Sequence, residues 1–208
     1  FIDPLDVVGF NYKEHLYEEH HKAFPGKPFL GSENGHSLSA WKAVTENAYI
    51  SGQFLWTGID YLGEAHGWPI HGSGAGLMTM AGFEKTGYYR RQSLWSSIPM
   101  IHLATIAAQD SCRTSWGETF KQPIDCEFAP VSECWDYVQG EEVVVKCYTN
   151  LPKIELTLNG KTIGTYDRTE NKDCILFTLP FAPGELKATG VGVHQRISDT
   201  LHSTGSPC

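Results

Sequence analysis

The stretch PFLGSEN, residues 28–34, is the part of the sequence that decides the fold. An apolar run stops abruptly at Glu33, and glycines at positions 31 and 35 flank the Ser-Glu-Asn core. Such a run is typical of a buried β-strand that leads into a turn. Glu33 is therefore either the solvated end of a strand or a carboxylate held at the mouth of a barrel.

Two similar runs lie on either side, separated from it by helical patterns. DVVGFNY (6–12) and ISGQFLWTGID (50–60) have the length and apolar character of strands. The segments 13–24 and 37–48 space apolar residues along one helix face, and Ser37 suits a helix N-cap. A further helix is predicted near 84–97. Strands that alternate with helices and are continuously apolar predict a parallel sheet covered by helices.

The pattern changes near residue 99. Short strands separated by turns follow, without a long helix, and Asn159-Gly160 suits a tight hairpin turn that needs positive φ angles. We therefore predict an α/β domain over residues 1–98 and an antiparallel β-sandwich of immunoglobulin-like size over residues 99–208. Trp116 and Trp135 of the second domain could bind carbohydrate, but packing in the core of the sandwich is favoured.

Composition excludes several classes of function. The formal net charge of −8 argues against a nucleic-acid partner, and the apolar runs are shorter than the ~20 residues of a membrane-spanning helix. The six cysteines form no C-x-x-C pair, which disfavours a zinc site, and we expect neither a metal nor a cofactor. Cys147 and Cys174 fall in predicted strands, where they either pair or remain as buried thiols.

Conspicuous side chains follow the three predicted parallel strands. Tyr12 and Glu33 close the first two strands, and Trp56 closes the third. In a parallel barrel, catalytic groups lie at the C-terminal ends of strands. A carboxylate, a phenol and an indole at one rim suit glycoside hydrolysis, in which a carboxylate acts at the anomeric carbon and an aromatic face stacks on the sugar.

Several segments, in this order, resemble glycoside hydrolase family 2 in its β-galactosidase branch: DVVGFNY, FPGKPFLGSENG, ISGQFLWTGIDYLGEA and AGFEKTGYYRRQSLW. VVVKCYTNLPKIELTLNGKTIG, followed by PFAPGELKATG, is similar to the immunoglobulin-like domain after the barrel. The resemblance implies the last three βα units (strands 6 to 8) of a (β/α)8 TIM barrel over residues 1–98. An immunoglobulin-like antiparallel β-sandwich would follow over residues 99–208.

The resemblance also implies roles for individual residues. Glu33 matches the nucleophile, and Tyr12 matches a tyrosine that hydrogen-bonds it, which favours the charged carboxylate. Trp56 matches the tryptophan that packs against the sugar, and its bond to Thr57 is a candidate for a cis peptide. Asn11 and Asp60 are candidates for contacts with sugar hydroxyls or for support of the residues that make such contacts. Independently of the resemblance, Trp68 is expected either to line an outer sugar subsite or to have a packing role.

One element of the family pattern is missing. A retaining glycosidase needs a second carboxylic acid ~5–5.5 Å from the nucleophile, and the family takes it from an Asn-Glu pair on the fourth strand. No Asn-Glu dipeptide occurs in the 208 residues. Glu64 lies in a loop after the third predicted strand, where a structural or substrate-side role is expected. We therefore expect the chain alone to be inactive and to need the remaining barrel strands of its parent protein.

The expected substrate is a terminal β-galactoside, with alternatives that the sequence leaves open. The β-glucuronidase branch grips the substrate carboxylate with an Asn-x-Lys element, and GFEKTG (82–87) has Lys85 without the asparagine. A β-mannoside remains open, as does a non-catalytic carbohydrate-binding or structural module. The family's bacterial members suggest a periplasmic or extracellular location.

Overall fold

The computed structural model describes residues 2–65, 67–108, 131–169, 172–192 and 195–205. The chain divides into two compact units, Phe1–Lys85 and Thr86–Cys208. The helix expected at the end of the first domain is thus grouped with the second unit, because it packs on strands of that unit. The domain bounds at residues 98 and 99 remain a prediction.

The first unit is built on a three-stranded parallel sheet of order β1-β2-β3, as the alternating pattern predicts. A 3-10 helix at Glu14–Leu16 precedes the first α-helix, and the Ser37 hydroxyl caps the second by accepting a hydrogen bond from the Ala40 N–H. The elements are β1 (Val8–Asn11), α1 (Tyr17–Ala23), β2 (Phe29–Asn34), α2 (Leu38–Thr45) and β3 (Ile50–Leu55).

The core of this unit lies on one face of the sheet. Phe29, at the start of β2, is fully buried and stacks on Phe10 of β1 with ring centroids 5.8 Å apart. Tyr17 of α1 and Val44 of α2 belong to the same buried cluster. Each large apolar side chain buried in this way contributes roughly 1.5–3 kcal/mol to stability, so the helices are held to the sheet mainly by these contacts.

The glycine-rich segment after β3 contains a short hairpin. Two strands, β4 (Tyr61–Leu62) and β5 (Gly72–Ser73), pair antiparallel. A Cβ at Gly72 would lie 2.8 Å from the carbonyl oxygen of Tyr61, so this pairing requires a glycine. The backbone after β3 is therefore fixed by its own ladder.

In the described part of the second unit, one helix accompanies two antiparallel sheets, of order β10-β7-β6 and β12-β11-β8-β9. Asn159 and Gly160, both with positive φ, turn the chain between β8 and β9 as predicted. The elements are α3 (Thr86–Trp95), β6 (Ile101–Ala107), β7 (Glu142–Thr149), β8 (Lys153–Leu158), β9 (Lys161–Asp167), β10 (Ile175–Pro180), β11 (Glu185–Gly190) and β12 (Ser198–His202).

Side chains from both sheets form one buried cluster. Val145 of β7 and Leu156 of β8 are fully buried in it, beside Trp135, whose Nε1 donates a hydrogen bond to the Ala182 carbonyl at 3.1 Å. The packing of Trp135 in the core is confirmed, while Trp116 lies outside the described residues. The unit is a two-sheet antiparallel arrangement, and its assignment as immunoglobulin-like remains a prediction.

Cys147 and Cys174 are both free and buried. Burial raises the pKa of each thiol, that of Cys174 to about 12, so neither forms an appreciable amount of thiolate at neutral pH. The alternative of two buried thiols is the one that the structure adopts. Among the described residues, no helix is long and apolar enough to cross a membrane.

Candidate active site

The parallel sheet brings Tyr12, Glu33 and Trp56 to the same edge. Tyr12 follows β1, Glu33 is the penultimate residue of β2, and Trp56 follows β3. The Tyr12 N–H donates to the Glu33 carbonyl at 2.8 Å, and the Trp56 N–H donates to the Asn34 carbonyl at 3.0 Å. Backbone hydrogen bonds therefore continue past the strand ends and fix the spacing of all three residues.

The Tyr12 side chain interacts with the Glu33 carboxylate through charge and through a side-chain hydrogen bond, and both effects raise the pKa of its hydroxyl. Partial burial, then the negative charge of Glu33 and this hydrogen bond, raise the pKa of Tyr12 to about 12. The phenol therefore keeps its proton throughout the physiological range and remains a donor. Tyr12 has a φ of +52°, which is uncommon for a residue other than glycine, and this backbone conformation is part of the site.

Asn34 anchors the end of β2 beneath the carboxylate. It is fully buried, and its Nδ2 donates to the Tyr17 hydroxyl at 3.4 Å. Its side chain occupies the space beside Gly31, where a Cβ would lie 1.8 Å from Asn34 Oδ1. Because successive side chains of a strand point to opposite faces, burial of Asn34 directs Glu33 to the other face.

Trp56 has a half-exposed indole, and the groups around it hold both its ring and its backbone. Its Nε1 donates to the Tyr61 hydroxyl at 3.1 Å, and the two rings meet nearly edge-on, 5.5 Å apart. The peptide bond to Thr57 is cis, as the resemblance implied. His36 Nε2 lies 3.0 Å from the Trp56 carbonyl and 3.1 Å from that of Ala75. Since both partners are acceptors, this nitrogen carries the proton.

Asn11 and Trp68 were also predicted to contact substrate. Asn11 lies opposite Glu33 in the β1–β2 register, at the point where that register shifts, and its side chain is exposed. Trp68 is 91% exposed, in the segment between β4 and β5. Asn11 therefore lies beside the nucleophile candidate, and Trp68 is not part of the hydrogen-bonded group around Glu33. Their roles toward substrate remain predictions.

Asp60 makes contacts within its own loop. Its Oδ1 accepts hydrogen bonds from the Gly76 N–H and from Lys85 Nζ, each at 2.8 Å. The side chain of Asp60 is only 17% exposed. The structure thus shows Asp60 holding the segment after β3 together, and the predicted contact with a sugar hydroxyl is still untested.

Sequence reasoning gave no role to His36 or Tyr61 and expected only a structural or substrate-side role for Glu64. Tyr61 donates a hydrogen bond to Glu64 Oε2, so a second carboxylate is connected to Trp56. The signal that could have found His36 and Tyr61 is their closeness in sequence to predicted site residues. His36 follows Glu33 by three positions, and Tyr61 directly follows Asp60.

A cavity of about 420 Å³ lies next to Tyr12. Polar side chains from the 3-10 helix and from the start of α2 line it, among them His15, Ser37 and Ser39. Its volume is in the range of about 300–1,000 Å³ that small-molecule sites occupy. The edge of the sheet therefore combines a carboxylate, a fixed phenol donor, an aromatic face and polar space.

Within the described ranges, no group of three His, Cys, Asp or Glu side chains is placed to hold a metal ion.

The relatives that comparison with curated proteins finds are both named as glycosidases. Residues 140–196 match the family described as a domain of unknown function, DUF4982. The chain is 26% identical over 232 aligned residues to beta-galactosidase BoGH2A of Bacteroides ovatus, which covers 88% of this chain and 24% of that protein. It is 29% identical over 171 residues to a putative beta-glucuronidase of Formosa agariphila, which covers 79% of this chain and 14% of that protein.

A solved structure is similar over almost the whole chain. The glycosyl hydrolase family 2 member from Bacteroides cellulosilyticus has a TM-score of 0.81 and 28% identity, covering 98% of this chain and 28% of that one. The chain thus spans less than a third of the length of each of these relatives. Taken with the two sequence relatives, this makes the chain similar, over almost its whole length, to part of the proteins of glycoside hydrolase family 2.

Proposed function

We propose that the protein containing this chain is a retaining glycosidase in which Glu33 is the nucleophile. The observation that carries the proposal is the placement of Tyr12, Glu33 and Trp56 at the C-terminal edge of a parallel sheet, where backbone hydrogen bonds fix their spacing and the Tyr12 hydroxyl interacts with the Glu33 carboxylate. A neutral phenol that binds one carboxylate oxygen leaves the other oxygen aimed and available, which a nucleophilic carboxylate requires.

The reaction would proceed by double displacement. A Glu33 oxygen attacks the anomeric carbon, the bond from that carbon to the leaving oxygen breaks, and a glycosyl ester forms. A general acid protonates the leaving oxygen, and the same group later removes a proton from the water that hydrolyses the ester with net retention. Trp56 would pack against the sugar ring, and Tyr12 would hold the carboxylate in line.

The finer architecture is also part of the proposal. We assign β1, β2 and β3 to the last three strands of a (β/α)8 barrel and the second unit to an immunoglobulin-like domain. In support, Phe54 on β3 is 68% exposed in this chain. The strands of a barrel are packed on both faces, so the remaining barrel strands would account for this exposed aromatic side chain. The Asn-Glu pair expected to supply the general acid is not among the 208 residues. The chain alone should therefore lack turnover, since general acid catalysis typically contributes ~10²–10⁴-fold.

A β-galactoside is the proposed substrate, and the surroundings of Lys85 favour it over a glucuronide. The Lys85 ammonium lies 2.8 Å from Asp60 Oδ1 and 2.8 Å from the Gly74 carbonyl oxygen. An ammonium already neutralised by a carboxylate is a poor partner for a second carboxylate on the substrate.

Covalent capture on the full-length protein tests this proposal. Activated 2-deoxy-2-fluoro glycosides of galactose, glucuronic acid and mannose carry their own good leaving group and stop at the glycosyl ester. We expect the galactoside to add one glycosyl mass on Glu33, as located by peptide mapping, and the Glu33→Gln variant to add none. Labelling by the glucuronide alone would reject the galactoside. Labelling at another residue would reject Glu33, and oligosaccharide binding without any labelling would favour the non-catalytic module.

A further inference from the structure

We infer that Tyr61 and Glu64 are positioning residues that hold the Trp56 indole in the orientation in which it meets the sugar. The inference deepens the proposed function, on which it rests for the role of Trp56 toward substrate. The contacts themselves form a chain, from the Trp56 Nε1–H to the Tyr61 hydroxyl and from that hydroxyl to Glu64 Oε2.

The directions of these hydrogen bonds make the two residues a unit. Indole nitrogen is only a donor, so it needs an acceptor, whereas a tyrosine hydroxyl both donates and accepts. The Tyr61 proton is directed to the Glu64 carboxylate, which leaves the hydroxyl lone pairs for the indole. Without the carboxylate, the hydroxyl is free to rotate its proton toward the indole or toward water. The hydrogen bonds therefore connect Glu64 to Trp56 through Tyr61.

Two directional contacts within this unit define the orientation of the Trp56 ring. The indole is 36% exposed, and the ring contact with Tyr61 is edge-on at 5.5 Å and 80°. A half-exposed aromatic side chain turns readily about its side-chain torsions unless a directional contact stops it. The hydrogen bond from Nε1 and the edge-on contact together define both the position and the plane of the ring.

The backbone of the segment is shaped to present these two residues. Tyr61 lies in β4, whose pairing with β5 depends on the close approach of Gly72. Gly63 and Glu64 then have φ angles of +96° and +46°, which reverse the chain so that the carboxylate faces back toward Tyr61. A left-handed conformation is uncommon for a glutamate, so the position is held there by its surroundings.

The same two residues are close to the Tyr12–Glu33 pair. After burial and Glu33, electrostatic interactions with Tyr61 and with the Glu64 carboxylate also contribute to the raised pKa of Tyr12. The carboxylate of Glu64 therefore acts at the edge of the sheet where the nucleophile lies.

The test uses the full-length protein with 5-fluorotryptophan in place of tryptophan. The 19F signals of Trp56 and Trp68 are assigned by their loss in Trp56→Phe and Trp68→Phe. We expect Tyr61→Phe and Glu64→Gln each to shift the Trp56 signal and to leave that of Trp68 unchanged. Glu84→Gln, which neutralises an exposed carboxylate of the same region, is the matched control and should shift neither. An unshifted Trp56 signal in Glu64→Gln, or equal shifts of both signals, would overturn the inference.

Kinetics of covalent capture supply a second readout. Tyr61→Phe and Glu64→Gln should each weaken the initial binding of the fluoroglycoside about tenfold, as expected for one well-placed hydrogen bond, and change the bond-forming rate little. The double variant should be no weaker than either single variant, because both act through one contact. If the double variant weakened binding by the product of the two single effects, Tyr61 and Glu64 would not act through one contact. Should no fluoroglycoside label the wild type, the proposed function fails, while the 19F measurement still decides on the positioning.

Discussion

Replacement of Gly31 by alanine should destabilise the end of β2, and the structure gives the size of the effect. The new methyl carbon would lie 1.8 Å from Asn34 Oδ1, 2.6 Å from Cγ and 2.9 Å from Nδ2, distances at which something must move. Overpacking of this kind costs roughly 1–3 kcal/mol, and displacing the amide from Tyr17 removes a hydrogen bond worth about 1 kcal/mol. Alanine in a strand recovers roughly 0.5–1 kcal/mol relative to glycine. The net expectation is a loss of about 1–3 kcal/mol.

Hydrogen–deuterium exchange of the peptide that covers residues 28–34 measures this loss locally in the intact protein. A loss of about 1–3 kcal/mol should speed exchange through local opening roughly 5- to 150-fold. Gly52→Ala in β3 is the control, since its methyl group would meet no atom within 4 Å. In an Asn34→Ala background, Gly31→Ala should have little further effect. Unchanged exchange in Gly31→Ala, or the same acceleration in Gly52→Ala, would refute the reasoning.

Three further predictions follow from the contacts described. Tyr12→Phe should lower kcat on an aryl β-galactoside about 10- to 100-fold, because a hydrogen bond to a charged group is worth roughly 1.5–3 kcal/mol; an unchanged kcat would contradict the assigned role. Trp135→Ala should lower the free energy of unfolding by about 3–5 kcal/mol in denaturant titrations, whereas Trp68→Ala, at an exposed position, should leave it unchanged. Iodoacetamide at pH 8 should modify Cys174 only after denaturation, as followed by peptide mapping, because burial raises its pKa to about 12; modification of the native protein would contradict its burial.

The periodicity of the sequence was sufficient for the elements and for their pairing. Continuous apolar runs in β1 and β2, with amphipathic segments between them, have few solutions other than a parallel sheet with helices packed on it. The Asn159-Gly160 turn could also be predicted from the sequence, because few residue pairs adopt two consecutive positive φ angles. Local chemistry dictates these features, so a single sequence reveals them.

The segment after β3 was the part that periodicity failed to describe. Its strands are two residues long, which is too short to show alternation, and its shape depends on close backbone contacts at Gly72 and Gly76. A Cβ at Gly76 would lie 2.2 Å from the Asp60 N atom. A glycine needed for such an approach is indistinguishable in sequence from a glycine that merely loosens a loop. The Tyr61–Glu64 contact could not be predicted either, because it depends on the backbone shape of the same segment.

The candidate site shows why residue identity could be predicted and geometry could not. Strand ends are visible in the sequence, so Tyr12 and Glu33 could be placed at one edge of the sheet. Their hydrogen bond depends in addition on the register shift between Phe10 and Asn11, and on the positive φ of Tyr12. Neither leaves a sequence signal, since tyrosine is not a residue that favours positive φ.

The arrangement of β2 ties the orientation of the carboxylate to the stability of the sheet. Asn34 is buried on one face, so Glu33 must lie on the other, and a slip of β2 by one residue would exchange the two. Such a slip would bury a carboxylate and expose a residue that now fills the space left by Gly31. Burying an unpaired charge is far more unfavourable than the contacts that hold the present register, so the alternative register is excluded. The residues that direct Glu33 toward the edge shared with Tyr12 and Trp56 are therefore the ones that keep the strand in place.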